Sequence, residues 1–134
     1  MTPVVQRATV YLSPFRSFHD RNMQSAEIDN IYRTTPPEKI PWNIDTPPEV
    51  LIRLVRNGKI PPCRAIDLGC GAGNYAVWLA SQGFDMTGAD SSPAAIEMAR
   101  RKAADKEVRC KFVAADLLGD LKEIDGTFDF AYDY

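Results

Sequence analysis

Histidine is almost missing from this 134-residue chain, with His19 the only one. Cysteine is scarce too. Cys63, Cys70 and Cys110 are odd in number, and no two form a C-x-x-C pair. So few soft ligands at such spacings exclude an ordinary structural zinc site. The three thiols read as reduced, the usual state in the cytoplasm. No apolar run approaches the roughly 20 residues that a membrane span needs. The stretch from Met1 to Ser17 is mixed, contains Pro3 and Pro14, and lacks the apolar centre of a secretory signal. The expectation is a cytoplasmic protein with no membrane partner. Long Lys/Arg blocks are absent as well. The densest basic patch, Arg100-Arg101-Lys102, falls on a predicted helix and reads as a solvated face. With a formal net charge of −2, no nucleic-acid partner is expected.

What is present suits one soluble domain with one core: 45% apolar and 25% charged residues. Residues 1–22 show no clean period. A short amphipathic helix is expected from Met23 to Tyr32, burying Ala26, Ile28, Ile31 and Tyr32. The proline-punctuated stretch from Thr34 to Trp42 cannot be a helix interior. Thr46-Pro47-Pro48-Glu49 reads as a helix start, with Thr46 as N-cap, Pro47 at the first helical position and Glu49 completing a capping box. Val50, Leu51, Leu54 and Val55 then form an apolar stripe. Asn57-Gly58 stops the helix, and Pro61-Pro62 prevents its continuation.

From Arg64 the pattern alternates between strand and helix. Strands are expected at 64–68, 84–89, 109–114 and 128–132. Helices are expected at 74–82, from Ser92-Pro93 to Asp105 with Ile96, Ala99 and Ala103 inward, and at 117–124. Such alternation with tight links implies right-handed βαβ units and a mainly parallel sheet. The run from Ala65 to Tyr75, AIDLGCGAGNY, is the most informative stretch. It reads as a buried strand, a glycine-rich turn and a helix start. Asp67 sits near the strand's carboxyl end. Gly69, Gly71 and Gly73 let the backbone turn sharply and leave room for a ligand.

This run resembles the S-adenosylmethionine (SAM) binding loop of class I methyltransferases, an acidic residue followed by G-x-G-x-G. The dinucleotide fingerprint G-x-G-x-x-G is the nearest competitor, but its third glycine falls on Asn74. A carboxylate at Asp67 would also repel a pyrophosphate, whereas it suits the cationic amino-acid end of SAM. The resemblance extends over about residues 41–134 and is best between 64 and 117. It implies a three-layer α/β/α Rossmann-like fold, with residues 1–40 as an N-terminal extension or lid and 41–134 as the SAM-binding domain. It also implies cofactor-binding roles at the strand ends. The loop, with Gly69, Cys70, Gly71 and Gly73, would hold the methionine part of SAM. Asp90, followed by Ser91, stands near the ~20-residue offset of a ribose-binding carboxylate; capping of the next helix is the alternative, although Ser92 already suffices as that cap. Asp116 is placed to accept from the adenine amino group, with Leu117 covering the ring; a capping role is again the alternative. Asp133 or Tyr134 would line the reaction centre.

Among enzymes of the thiopurine and tellurite-resistance type, a segment like Pro41-Trp42-Asn43 folds over the cofactor. Trp42 would cover the sulfonium by a cation–π contact, wall the acceptor pocket, or simply anchor a lid that also includes Tyr32. The implied activity is methyl transfer from SAM to a small-molecule acceptor, with no metal and no assigned catalytic base; His19 lies outside the fold core. A complete fold of this class has seven strands, and this chain supplies four. A C-terminal half is therefore expected to be missing. The fourth strand's edge would be bare, with Phe128, Phe130 and Tyr132 poorly covered, which invites self-association. Three rivals stand beside the enzyme: a SAM-binding module without transfer, an NAD-dependent oxidoreductase and a purely structural fragment.

Overall fold

Five parallel strands form one sheet in the computed structural model, which describes residues 9–12, 23–119, 122, 124 and 126–133. They are β1 (Thr9–Leu12), β2 (Arg64–Leu68), β3 (Asp85–Asp90), β4 (Cys110–Ala114) and β5 (Phe130–Asp133), in the spatial order β1-β5-β2-β3-β4. The four expected strands are all present, and β1 adds a fifth. It pairs with β5 from Thr9 opposite Phe130 to Leu12 opposite Asp133. The edge expected to be bare is thus covered, and Phe130 and Tyr132 are buried. That removes the ground for self-association through this edge. Phe128 is half-buried under the Arg64 guanidinium, 5.0 Å from its ring centre. Residues 9–12 gave no periodic signal because four residues are too few to display one.

Strand register divides the side chains between two faces. Ala65 lies opposite Met86 and Phe130, and Asp67 opposite Gly88 and Tyr132. These residues share one face, with Phe112 opposite Gly88. Against that face pack α2 (Glu49–Arg56), α3 (Asn74–Ser81) and α4 (Pro93–Asp105), through Leu51, Ala76, Leu79, Ile96 and Ala99. A second cluster joins α1 (Ser25–Thr34) to α4 through Tyr32, Ile40, Ala72, Ala94 and Ala95. Tyr32 is buried, and Ile28 and Ile31 pack beside it; Ala26, expected inside, is exposed.

Two local expectations are corrected. Thr46 does not cap α2, which begins at Glu49 with Pro48 at the N-cap in an extended conformation (ψ 139°). A residue preceding proline is disfavoured in the helical region, so Pro47 before Pro48 cannot open the helix. Nor do the described residues of 117–124 form a helix. Asp116 accepts from the Leu118 N–H at 3.0 Å, and the Gly119 N–H donates to the Asp116 carbonyl. This tight turn leaves Leu118 99% exposed. By contrast α4 starts as expected: Ser92 accepts from the Ala95 N–H at 3.1 Å, with Pro93 at the first helical position.

Candidate ligand-binding site

After β2 the chain moves outward through β3 and β4, then returns to the other side of β2 as β5. Strand order therefore reverses between β2 and β5. In open parallel sheets, that reversal at the carboxyl ends of the strands opens a crevice for ligands. Asp67, the glycine loop and Asp133 all lie at this point.

Gly69, Gly71 and Gly73 have φ values of +71°, +54° and +81°, a region that side-chain-bearing residues rarely adopt. Their missing side chains serve three different ends. A Cβ on Gly73 would stand 2.7 Å from the Ala99 Cβ and 3.0 Å from the Phe112 ring, so this glycine lets α3 and α4 approach the sheet. A Cβ on Gly71 would meet the Tyr32 hydroxyl at 2.7 Å. At Gly69 the nearest atom is an Asp133 carboxylate oxygen, 3.9 Å away, and the residue is exposed. Of the three, Gly69 alone is open in the way the sequence suggested. The loop's amides are largely engaged within the chain. Gly69 and Cys70 donate to the Ala89 carbonyl at 2.8 and 3.0 Å, and Gly73 donates to the Cys70 carbonyl at 3.0 Å. Gly71 donates to Asp90 Oδ2 at 2.9 Å.

Three carboxylates converge on the loop, in unequal environments. Asp90 Oδ1 accepts from the Ser92 N–H at 2.9 Å, so its carboxylate ties the glycine loop to the start of α4. Ser92, not Asp90, caps α4, so Asp90 braces the turn before the helix, and each of its oxygens keeps a lone pair for another donor. Asp67 is 4% exposed. Burial pushes its carboxyl well above the usual range, and the charges of Asp90 and Asp133 push it the same way. No hydrogen bond to its carboxylate is found among the described residues. Asp133 is exposed at the end of β5. Ser91 is exposed beside Asp90, Asp116 is exposed after β4, and Leu117 is half-buried next to it. His19 and Tyr134 lie outside the described residues.

The segment before the motif folds onto it. The Trp42 indole N–H donates to the Tyr32 hydroxyl at 2.8 Å, with the two rings edge to face. Asn74 Nδ2 donates to Asn43 Oδ1 at 2.8 Å and to the Ile44 carbonyl at 3.0 Å, holding the stretch after Trp42 against the start of α3. Asp29 on α1 reaches α4, where its Oδ1 accepts from the Ser92 hydroxyl at 2.7 Å and the Ala94 N–H at 3.0 Å. The Ala94 and Ser92 hydrogen bonds hold its carboxyl below the usual range, helped by Arg33 at 2.6 Å. Sequence reasoning missed Asp29 and the tether at Asn74, since both bonds span long stretches of chain and follow no local pattern.

The thiols stay protonated near neutral pH. Burial raises Cys70 well above its ordinary value, with Asp67 and Asp90 adding to the shift. Cys110 is pushed up to about 12 by burial, then by Asp67 and Asp85. Neither is poised as a nucleophile. The Cys70 sulfur lies 2.9 Å from the Cβ position of Gly88, directed toward the sheet. No helix among the described residues is long and apolar enough to cross a membrane.

Known proteins resemble this chain in sequence and fold. The family described as "Methyltransferase domain" matches residues 65–134. The chain is 31% identical over 105 residues to the 2-heptyl-1-hydroxyquinolin-4(1H)-one methyltransferase of Mycobacteroides abscessus, covering 75% of this chain and 45% of that protein. A solved structure from work on the conversion of a disulfide bond into a thioacetal group during echinomycin biosynthesis is 36% identical. It superposes with a TM-score of 0.72 over 82% of this chain and 46% of its own. The magnesium protoporphyrin IX methyltransferase of Synechocystis PCC 6803, solved with bound SAH, is 27% identical, with a TM-score of 0.54 over 63% of this chain and 38% of its own. The chain thus spans less than half the length of these relatives.

Proposed function

The chain belongs to the methyltransferase domain family, and from that premise we propose that it binds SAM and passes the methyl group to a small-molecule acceptor. One observation carries the cofactor assignment. Asp67 is almost fully buried, and among the described residues the charged groups acting on it, Asp90 and Asp133, are both repulsive. A buried carboxylate without a partner is costly, and a cationic ligand group would offset that cost. The ammonium of SAM's methionine part is such a group, whereas a pyrophosphate would be repelled by three carboxylates. NAD is disfavoured on the same ground.

In this reading the loop from Gly69 through Cys70 and Gly71 to Gly73 lies along the methionine part. Asp90 uses its remaining lone pairs on the ribose hydroxyls, with Ser91 beside it. Asp116 accepts from the adenine amino group, and Leu117 covers the ring. Trp42 walls the site, and Asp133 lines the reaction centre from β5. The stretch from α1 to Trp42 acts as a lid, while Thr9–Leu12, expected within a 1–40 extension, joins the domain's sheet as β1. Bound SAM would supply a methyl group already activated on a sulfonium. The chain's residues then orient donor and acceptor and exclude water, the contribution in-line displacement needs from a protein. Three free thiols fit a cytoplasmic location.

The test is calorimetric titration with SAM and with NAD, on the wild type and on Asp90→Ala. The expected result is micromolar SAM binding, about −8 kcal/mol, which weakens in the variant, and no comparable NAD binding. Absence of SAM binding would overturn the reading. Binding of SAM without transfer is a second reading. Methyl transfer from labelled SAM to a panel of phenols, thiols and amines separates the two.

A further inference from the structure

The three glycines of the loop offer no free amide. The N–H groups of Gly69, Cys70, Gly71 and Gly73 all end on Ala89, Asp90 or Cys70 oxygens of the same chain. The carboxylates around it, Asp67, Asp90 and Asp133, are acceptors when ionised. A zwitterionic amino-acid end laid on this loop would find Asp67 for its ammonium and, for its carboxylate, the first-turn amides of α3 together with any side-chain donor that reaches the loop. Among the described residues one side-chain donor stands at the spot. The Tyr32 hydroxyl lies 2.7 Å from where a Gly71 Cβ would be, and Tyr32 is only 4% exposed. Its oxygen accepts from the Trp42 indole N–H at 2.8 Å. That bond fixes the ring and leaves the hydroxyl's own hydrogen undirected, with no acceptor for it among the described residues.

We infer that Tyr32 is a cofactor-positioning residue, donating from its hydroxyl to the carboxylate of the cofactor's amino-acid end. The inference rests on the SAM reading and extends it to a residue outside the matched family segment. It also gives α1 a task. The Asp29 bonds to Ser92 and Ala94 lock α1 onto α4, and Tyr32 projects from that same helix onto the loop. Burial holds the phenol far above its ordinary range, so it remains a donor at every physiological pH.

The test compares two ligands on two proteins. SAM carries the amino-acid end, and 5′-methylthioadenosine lacks it. In Tyr32→Phe, SAM binding should weaken roughly tenfold, the usual size of a lost hydrogen bond to a charged group. Binding of 5′-methylthioadenosine should stay within about twofold of wild type, which also shows that the variant is folded. Unchanged SAM affinity would overturn the inference. Equal weakening of both ligands would also overturn it, since a merely structural tyrosine acts on the whole site. If wild type binds 5′-methylthioadenosine but gains nothing from SAM's amino-acid end, the inference falls while the nucleoside half of the site stands. If wild type binds neither, the cofactor reading falls and takes this inference with it.

Discussion

The two flanks of Asp67 are built differently. On the β3 side the polar groups find partners within the chain. Asp90 holds the Gly71 and Ser92 amides, Ser92 caps α4, and Asp29 adds a second acceptor there. The Gly73 backbone is packed against Ala99 and Phe112. On the β5 side, Asp67 is buried among like charges, Asp133 is exposed, and Gly69 borders open space. The first flank holds the fold together. The second keeps a buried carboxyl among like charges at the point where strand order reverses, the kind of local inconsistency that marks functional sites. Substitutions on the β3 side should therefore lower stability, and those on the β5 side should lower binding.

The largest effect is expected at Gly73. Gly73→Ala combines left-handed backbone strain with a clash against α4 and should cost about 3 kcal/mol, read by urea unfolding. Gly69→Ala shares the positive φ without the clash and should cost only about 1 kcal/mol; equal losses would break the comparison. Asp90→Ala releases two backbone amides and should cost about 2 kcal/mol, in addition to its effect on SAM. Asp29→Asn weakens the junction of α1 with α4 and should cost about 1 kcal/mol near neutral pH. The Asp29 carboxyl is held below its ordinary value of 3.8. Its contribution is present above that unfolded value and is lost as pH falls through the lower folded one. The gap between wild type and Asp29→Asn should therefore close in acid unfolding curves.

Much of the β3 flank could be read from local pattern. The alternation from Arg64 to Ala114, the glycines and Ser92-Pro93 all act within a few residues. The candidate carboxylates were legible because strand ends are where such sheets bind ligands. What escaped notice depends on distant partners. Thr9–Leu12 finds its place only against β5, and Asp29 meets Ser92 across the intervening chain. Asn74, useful in the sequence mainly for breaking a dinucleotide fingerprint, proves to be the tether for Asn43 and Ile44. The three glycines looked alike in sequence. Only their neighbours in space distinguish the packed one, the one under Tyr32 and the open one.

The most direct test of the account is Asp67→Asn, followed by thermal melting and SAM titration on the same preparation. Because the folded protein raises the Asp67 carboxyl above its unfolded value of 3.8, stability is fully present below that value and falls as pH rises toward the folded one. Removing the charge should therefore raise the melting temperature at pH 8, by an amount that shrinks toward pH 5, and should weaken SAM binding at least roughly tenfold. A variant that melts lower than wild type at pH 8 and still binds SAM as tightly would contradict the claim that Asp67 is held unpaired for a cationic ligand.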